Sequence, residues 1–107
     1  MRLVESFLTK NPCYTAGRKI TVKGLMLHSV GCPQPKAQVF LASWNHASFG
    51  SACVHGFIDG NDGTVYQALS WNHRGWHCGS SSKGSGNNTH IGVEMCEPAC
   101  IRYTSGS

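Results

Sequence analysis

From Ile20 to His28 the chain reads Ile-Thr-Val-Lys-Gly-Leu-Met-Leu-His, and this nearly unbroken apolar run constrains the fold more than any other segment. A run of that make-up predicts a strand over about residues 20–28, covered on both faces, because only a buried sheet leaves so few polar positions. The run delivers His28 to the strand end, where a side chain is rigidly held yet reachable by a metal or a substrate. Gly31-Cys32-Pro33-Gln34-Pro35 then breaks the chain sharply.

The remaining pattern is that of short elements joined by long connections. Residues 3–8 are expected to form a helical turn closed by Asn11-Pro12, with loop over 13–19. Over 36–47, Val39, Phe40, Ser43, Trp44 and Ala47 recur at helical spacing, so an amphipathic helix should lay its Val39, Phe40 and Trp44 face on the sheet. Residues 53–59 and 64–68 flank Gly60-Asn61-Asp62-Gly63, which predicts a hairpin. Residues 79–89 lack an apolar anchor and read as a mobile surface loop, 90–95 return to strand character, and 103–107 resemble a linker or a frayed end. The whole is an α/β fold with a mixed central sheet and flanking helices. At 107 residues it makes one domain.

Charge excludes some functions. The net charge is +4 with 13% charged residues, and the cations are scattered rather than gathered into the stripe that nucleic-acid binding needs. A mildly cationic surface suits an anionic polymer. The N-terminal segment Met1-Arg2-Leu3-Val4-Glu5-Ser6-Phe7-Leu8 carries an early acid and no continuous apolar stretch, so neither a secretory signal nor membrane insertion is expected. Six cysteines permit a disulfide framework, but the expected state is mostly reduced thiols packed as small apolar groups.

Candidate chemistry centres on a few residues. A hydrolytic zinc site takes imidazole, carboxylate or thiolate ligands, usually three, and leaves one position open. His28 suits such a role, although the chain has no H-E-x-x-H, H-x-H or C-x-x-C pattern. Glu94 lies within Ile91-Gly92-Val93-Glu94-Met95-Cys96. Either it is buried, with a raised pKa suited to a general base, or strand alternation turns it out to water. Trp76 and His77 sit between glycines in a loop that either contacts a sugar or peptide or plugs the end of the core. His46, His73 and His90 read as structural. His55, at the hairpin start, is placed to line the same floor.

In order and spacing, Leu25-Met26-Leu27-His28-Ser29, then Val54-His55-Gly56-Phe57-Ile58-Asp59-Gly60-Asn61-Asp62-Gly63-Thr64-Val65-Tyr66-Gln67, then Gly75-Trp76-His77-Cys78-Gly79, then Asn88-Thr89-His90-Ile91-Gly92-Val93-Glu94 resemble the zinc-dependent type-2 N-acetylmuramoyl-L-alanine amidases. That family includes phage endolysins and is similar in fold to peptidoglycan recognition proteins. The resemblance covers residues 22–97. It implies a peptidoglycan hydrolase with zinc as cofactor, His28 as a zinc ligand, Glu94 as general base, and Trp76, His77 and Asn88 along the substrate cleft. It also implies synthesis in the cytoplasm and action on the cell wall, in phage lysis or host autolysis.

Two departures accompany the resemblance. Val54 stands where some members carry a catalytic tyrosine, which favours the subgroup relying on glutamate. The family takes its second and third zinc ligands from beyond the last matched strand, so a second chain or a further C-terminal segment is expected to supply them. On this reading the domain lacks its C-terminal part, and residues 1–107 alone bind zinc weakly and cut poorly. The alternatives are a non-catalytic peptidoglycan-binding module and a hydrolase using Cys32, Cys53 or Cys78 as nucleophile.

Overall fold

Asn11 starts the first helix rather than closing one. In the computed structural model, which describes residues 2–50 and 52–102, Leu3–Glu5 form strand β1 and Pro12–Ala16 form helix α1. The Asn11 side chain accepts from the Cys13 N–H at 2.9 Å, Pro12 occupies the first helical turn, and Gly17 ends the helix at φ 66°. Each of these suits its place: an Asx cap, a proline whose missing N–H costs nothing, and a left-handed glycine. The expected helical turn at 3–8 and loop at 13–19 are therefore corrected. β1 is strand because Leu3, Val4 and Glu5 pair with a distant partner, which no local signal announces.

The following elements are β2 (Gly24–Ser29), α2 (Ala37–Trp44), β3 (Gly56–Ile58), β4 (Val65–Gln67), a small ribbon of β5 (Ser80–Ser81) and β6 (Gly84–Ser85), and β7 (His90–Met95). β1 to β4 and β7 build one five-stranded mixed sheet in the order β1-β4-β3-β7-β2. β3 and β4 are the expected antiparallel hairpin, while β7 runs parallel to both β3 and β2. The anticipated α/β architecture with a mixed sheet and flanking helices is what the chain forms.

The aromatic part of the core gathers around Phe57. Phe57 is fully buried, with Phe40 stacked on it at 5.6 Å and Trp44 edge-on at 5.0 Å. Val39, expected on the same face, is 45% exposed, and Ala37 and Leu41 are the helix residues that bury fully. Lys36 gives no side-chain cap to α2, and the Asp59 carboxylate accepts from the Ala37 N–H instead, at 3.0 Å. A disulfide joins Cys13 to Cys53, tying α1 to the chain entering β3, and Cys32, Cys78, Cys96 and Cys100 are free.

β2 departs from expectation in two ways. It begins at Gly24, and Leu25 and Leu27 are 57% and 56% exposed, so one face is uncovered. Among the described residues β2 is the last strand of the sheet, and nothing there packs over its leucines. Residues 79–89 are also more ordered than expected, holding the β5–β6 ribbon and a short 3₁₀ turn over Gly86–Asn88. The 103–107 tail lies outside the described residues. Among those residues no helix is long and apolar enough to cross a membrane.

Candidate functional site

β2 and β7 lie side by side in parallel register, with His28 opposite Glu94 and Met26 opposite Gly92. Residues paired across a ladder share a face. The register therefore sets a histidine and a carboxylate next to each other, although they are far apart in sequence.

Glu94 is half-buried, and its Oε2 is enclosed without a hydrogen-bond partner. Burial pushes its pKa above the ordinary carboxylate value, because desolvation disfavours the charged form. The sequence left burial and outward rotation open, and the structure has it half-buried. Cys96 responds to the same environment: desolvation first, then the nearby carboxylates of Asp59 and Glu94, raise its thiol to about 12. At that value it stays a thiol near neutral pH, which leaves it a poor nucleophile.

His77 enters from the loop before β5 and stands against His28, with His77 Nδ1 3.2 Å from His28 Nε2 and ring centroids 5.3 Å apart. On the far side, His77 Nε2 lies 3.0 Å from the His90 carbonyl. The ring rests on Gly92, where any Cβ would overlap it. Half-burial, with a backbone hydrogen bond opposing it, lowers the His77 pKa. Beneath it lies fully buried His55, ring centroids 6.0 Å away, whose pKa falls to about 4 chiefly through desolvation.

Two further residues organise this site, and only His55 was singled out by the sequence. Asn87 sits in the Ser-, Gly- and Asn-rich stretch that reads as solvated loop, yet it is buried. Its Oδ1 accepts from the His77 and Cys78 N–H groups at 2.8 and 3.1 Å, and its Nδ2 donates to the Cys78 carbonyl at 3.0 Å. His55 is the second: its Nδ1 accepts from the Gly92 N–H at 3.0 Å, and its Nε2 lies 2.6 Å from the His73 carbonyl.

The structure thus brings together His28, His77 and Glu94. Trp76 packs against the hydrophobic core and is only half-buried, its backbone bridged to Cys53. Asn88 is exposed, and its Oδ1 accepts from Arg74 Nε at 2.8 Å. No group of three or more His, Cys, Asp or Glu side chains among the described residues is placed to hold a metal ion. An imidazole beside an unpartnered carboxylate oxygen nonetheless fits part of a zinc site, since both are donors that zinc accepts.

The family model for N-acetylmuramoyl-L-alanine amidase matches residues 17–106. In Bacillus subtilis strain 168, the N-acetylmuramoyl-L-alanine amidase CwlH is 44% identical over 39 residues, which span 36% of this chain and 16% of CwlH. The amidase CwlA of the same strain is 29% identical over 92 residues, 71% of this chain and 33% of CwlA. The solved catalytic domain of XlyA superposes with a TM-score of 0.75 at 25% identity, covering 94% of this chain and 64% of that one. The Staphylococcus aureus hydrolase AmiA shares the fold, with a TM-score of 0.72 at 17% identity over 91% of this chain and 44% of AmiA. The chain therefore spans less than two-thirds of each of these relatives.

Proposed function

The chain belongs to the N-acetylmuramoyl-L-alanine amidase family, and from that premise we propose that it is a peptidoglycan hydrolase cutting the amide between N-acetylmuramic acid and L-alanine. The observation that carries this reading is Glu94, half-buried, with an unpartnered oxygen and ladder-paired to His28. Family members are generally zinc-dependent. Here His28 would hold the ion together with ligands from outside the His28, His77 and Glu94 group.

The chemistry zinc supplies in such a site is polarisation of the scissile carbonyl and a lowered pKa for water. Glu94 takes the proton from the attacking water as its oxygen bonds to the carbonyl carbon. It then returns that proton to the alanine nitrogen as the amide breaks, leaving a carboxylate on the lactyl group and a free amine. A base whose affinity for the proton is raised by burial is suited to both halves of this transfer. We place the action at the bacterial cell wall, after synthesis in the cytoplasm.

The test is digestion of purified walls with and without zinc, counting new amino-terminal alanine. Zinc-dependent release, weak from residues 1–107 alone and lost in Glu94→Gln, is expected. New reducing ends in place of alanine amines would overturn the reading. Sedimentation with walls and no new amines at any zinc concentration would assign the chain to the second class, a binding module.

A further inference from the structure

The hydrogen bonds around His77 fix where protons sit on two rings. The His90 carbonyl is an acceptor only, so His77 Nε2, 3.0 Å away, must carry hydrogen. In the neutral ring this leaves Nδ1 with a lone pair, and Nδ1 faces His28 Nε2 at 3.2 Å. His28 Nε2 must then be the donor. Its remaining nitrogen, Nδ1, is the one free to bind.

The His77 ring has little freedom to alter this. Its backbone N–H donates to buried Asn87, its ring lies where a Cβ on Gly92 would stand, and its far nitrogen is held by β7. Metal-ligating histidines characteristically donate their second N–H to a fixed acceptor, which orients the ring and makes the ligating nitrogen more basic. The file of His90 carbonyl, His77 and His28 has that form.

We infer that His77 is the positioning residue for His28, holding it as the Nε2–H tautomer so that Nδ1 is the atom offered to a divalent cation. The inference deepens the reading of His28 as a zinc ligand and rests on it. It gives His77 a role distinct from the substrate contact that the sequence suggested.

The experiment uses the chain labelled with nitrogen isotope at histidine and long-range proton–nitrogen spectra near neutral pH, first without metal and then with added zinc. Without metal, His28 should show hydrogen on Nε2 alone. His77→Leu, which removes the acceptor, should give a mixture of tautomers, and His77→Asn, which keeps an oxygen acceptor near Nδ1, should restore the single form. Dispersed amide signals in both variants establish that they fold. Zinc should perturb His28 Nδ1, with affinity falling about 10- to 100-fold in His77→Leu.

Hydrogen on His28 Nδ1 in the metal-free chain, or a tautomer indifferent to His77→Leu, overturns the inference whatever zinc does. A single Nε2–H tautomer that depends on His77, with no response of His28 to zinc, supports the positioning by His77 and overturns the zinc reading of His28 instead.

Discussion

His55 and Gly92 exchange two hydrogen bonds: the His55 backbone N–H donates to the Gly92 carbonyl at 2.8 Å, and the Gly92 N–H donates to His55 Nδ1 at 3.0 Å. The side-chain bond requires a lone pair on Nδ1, so His55 must be neutral. The imidazole thereby ties β7 to the 69–78 loop, since its Nε2 donates to the His73 carbonyl.

Acid should weaken the fold through this residue. The His55 pKa is lowered from 6.5 to about 4, so the unfolded chain takes up a proton first as pH falls. Stability from the neutral ring is complete above pH 6.5 and declines toward about pH 4, by at most about 3 kcal/mol. Urea unfolding at a series of pH values measures it. A midpoint unchanged across that window would contradict the buried neutral ring.

Replacing Glu94 by Gln should separate catalysis from stability. In the role proposed for Glu94, loss of the proton acceptor lowers kcat by about 10²–10⁴-fold. The thermal midpoint should hold or rise, because an enclosed carboxylate oxygen without a partner is exchanged for a neutral group. Because burial raises the Glu94 pKa, the acid limb of wild-type activity should lie above the usual carboxylate range.

The Cys13–Cys53 bridge closes a separation of 40 residues. Removing it with the double substitution Cys13→Ala and Cys53→Ala should cost about 2–4 kcal/mol, read as a lower denaturant midpoint. The wild-type chain with reductant should approach the variant. Equal midpoints with and without reductant would show that the bridge contributes nothing to stability.

Asn87→Ala should cost about 2–3 kcal/mol, since it leaves two N–H donors and a carbonyl of the His77–Cys78 segment unpaired in a partly enclosed place. Thermal unfolding measures the loss, and hydrogen exchange should quicken at His77 and Cys78. Unchanged protection there would mean that Asn87 does not hold the loop.

What could be read from the sequence followed the range of the interactions. The β3–β4 hairpin was legible because Gly63, at φ 75°, and its neighbours encode the turn locally, and α2 was legible from its apolar spacing. β1 was not, since Leu3–Glu5 become strand only by pairing with Val65–Gln67. α1 was misread although its cap residues, Asn11, Pro12 and Gly17, were all visible. His28 and Glu94 stood out through their strands and the family resemblance, whereas the contact of His28 with His77 spans 49 residues and depends on glycine at 92 making room. Asn87 was hidden by composition, because a buried asparagine that saturates a loop looks the same in sequence as a solvated one.

The strand order carries a consequence for how the molecule is made. β7 is the last strand in sequence among the described residues, yet it lies between β3 and β2. Until residues 90–95 have been synthesised, the β1-β4-β3 unit has nothing to join it to β2, and both present open edges. Parallel pairing over such separations is slow, because loop closure must precede any gain from contact. The step that joins β2 to β3 is also the one that sets Glu94 beside His28, so the nascent chain brings these two residues together only after residues 90–95 have emerged.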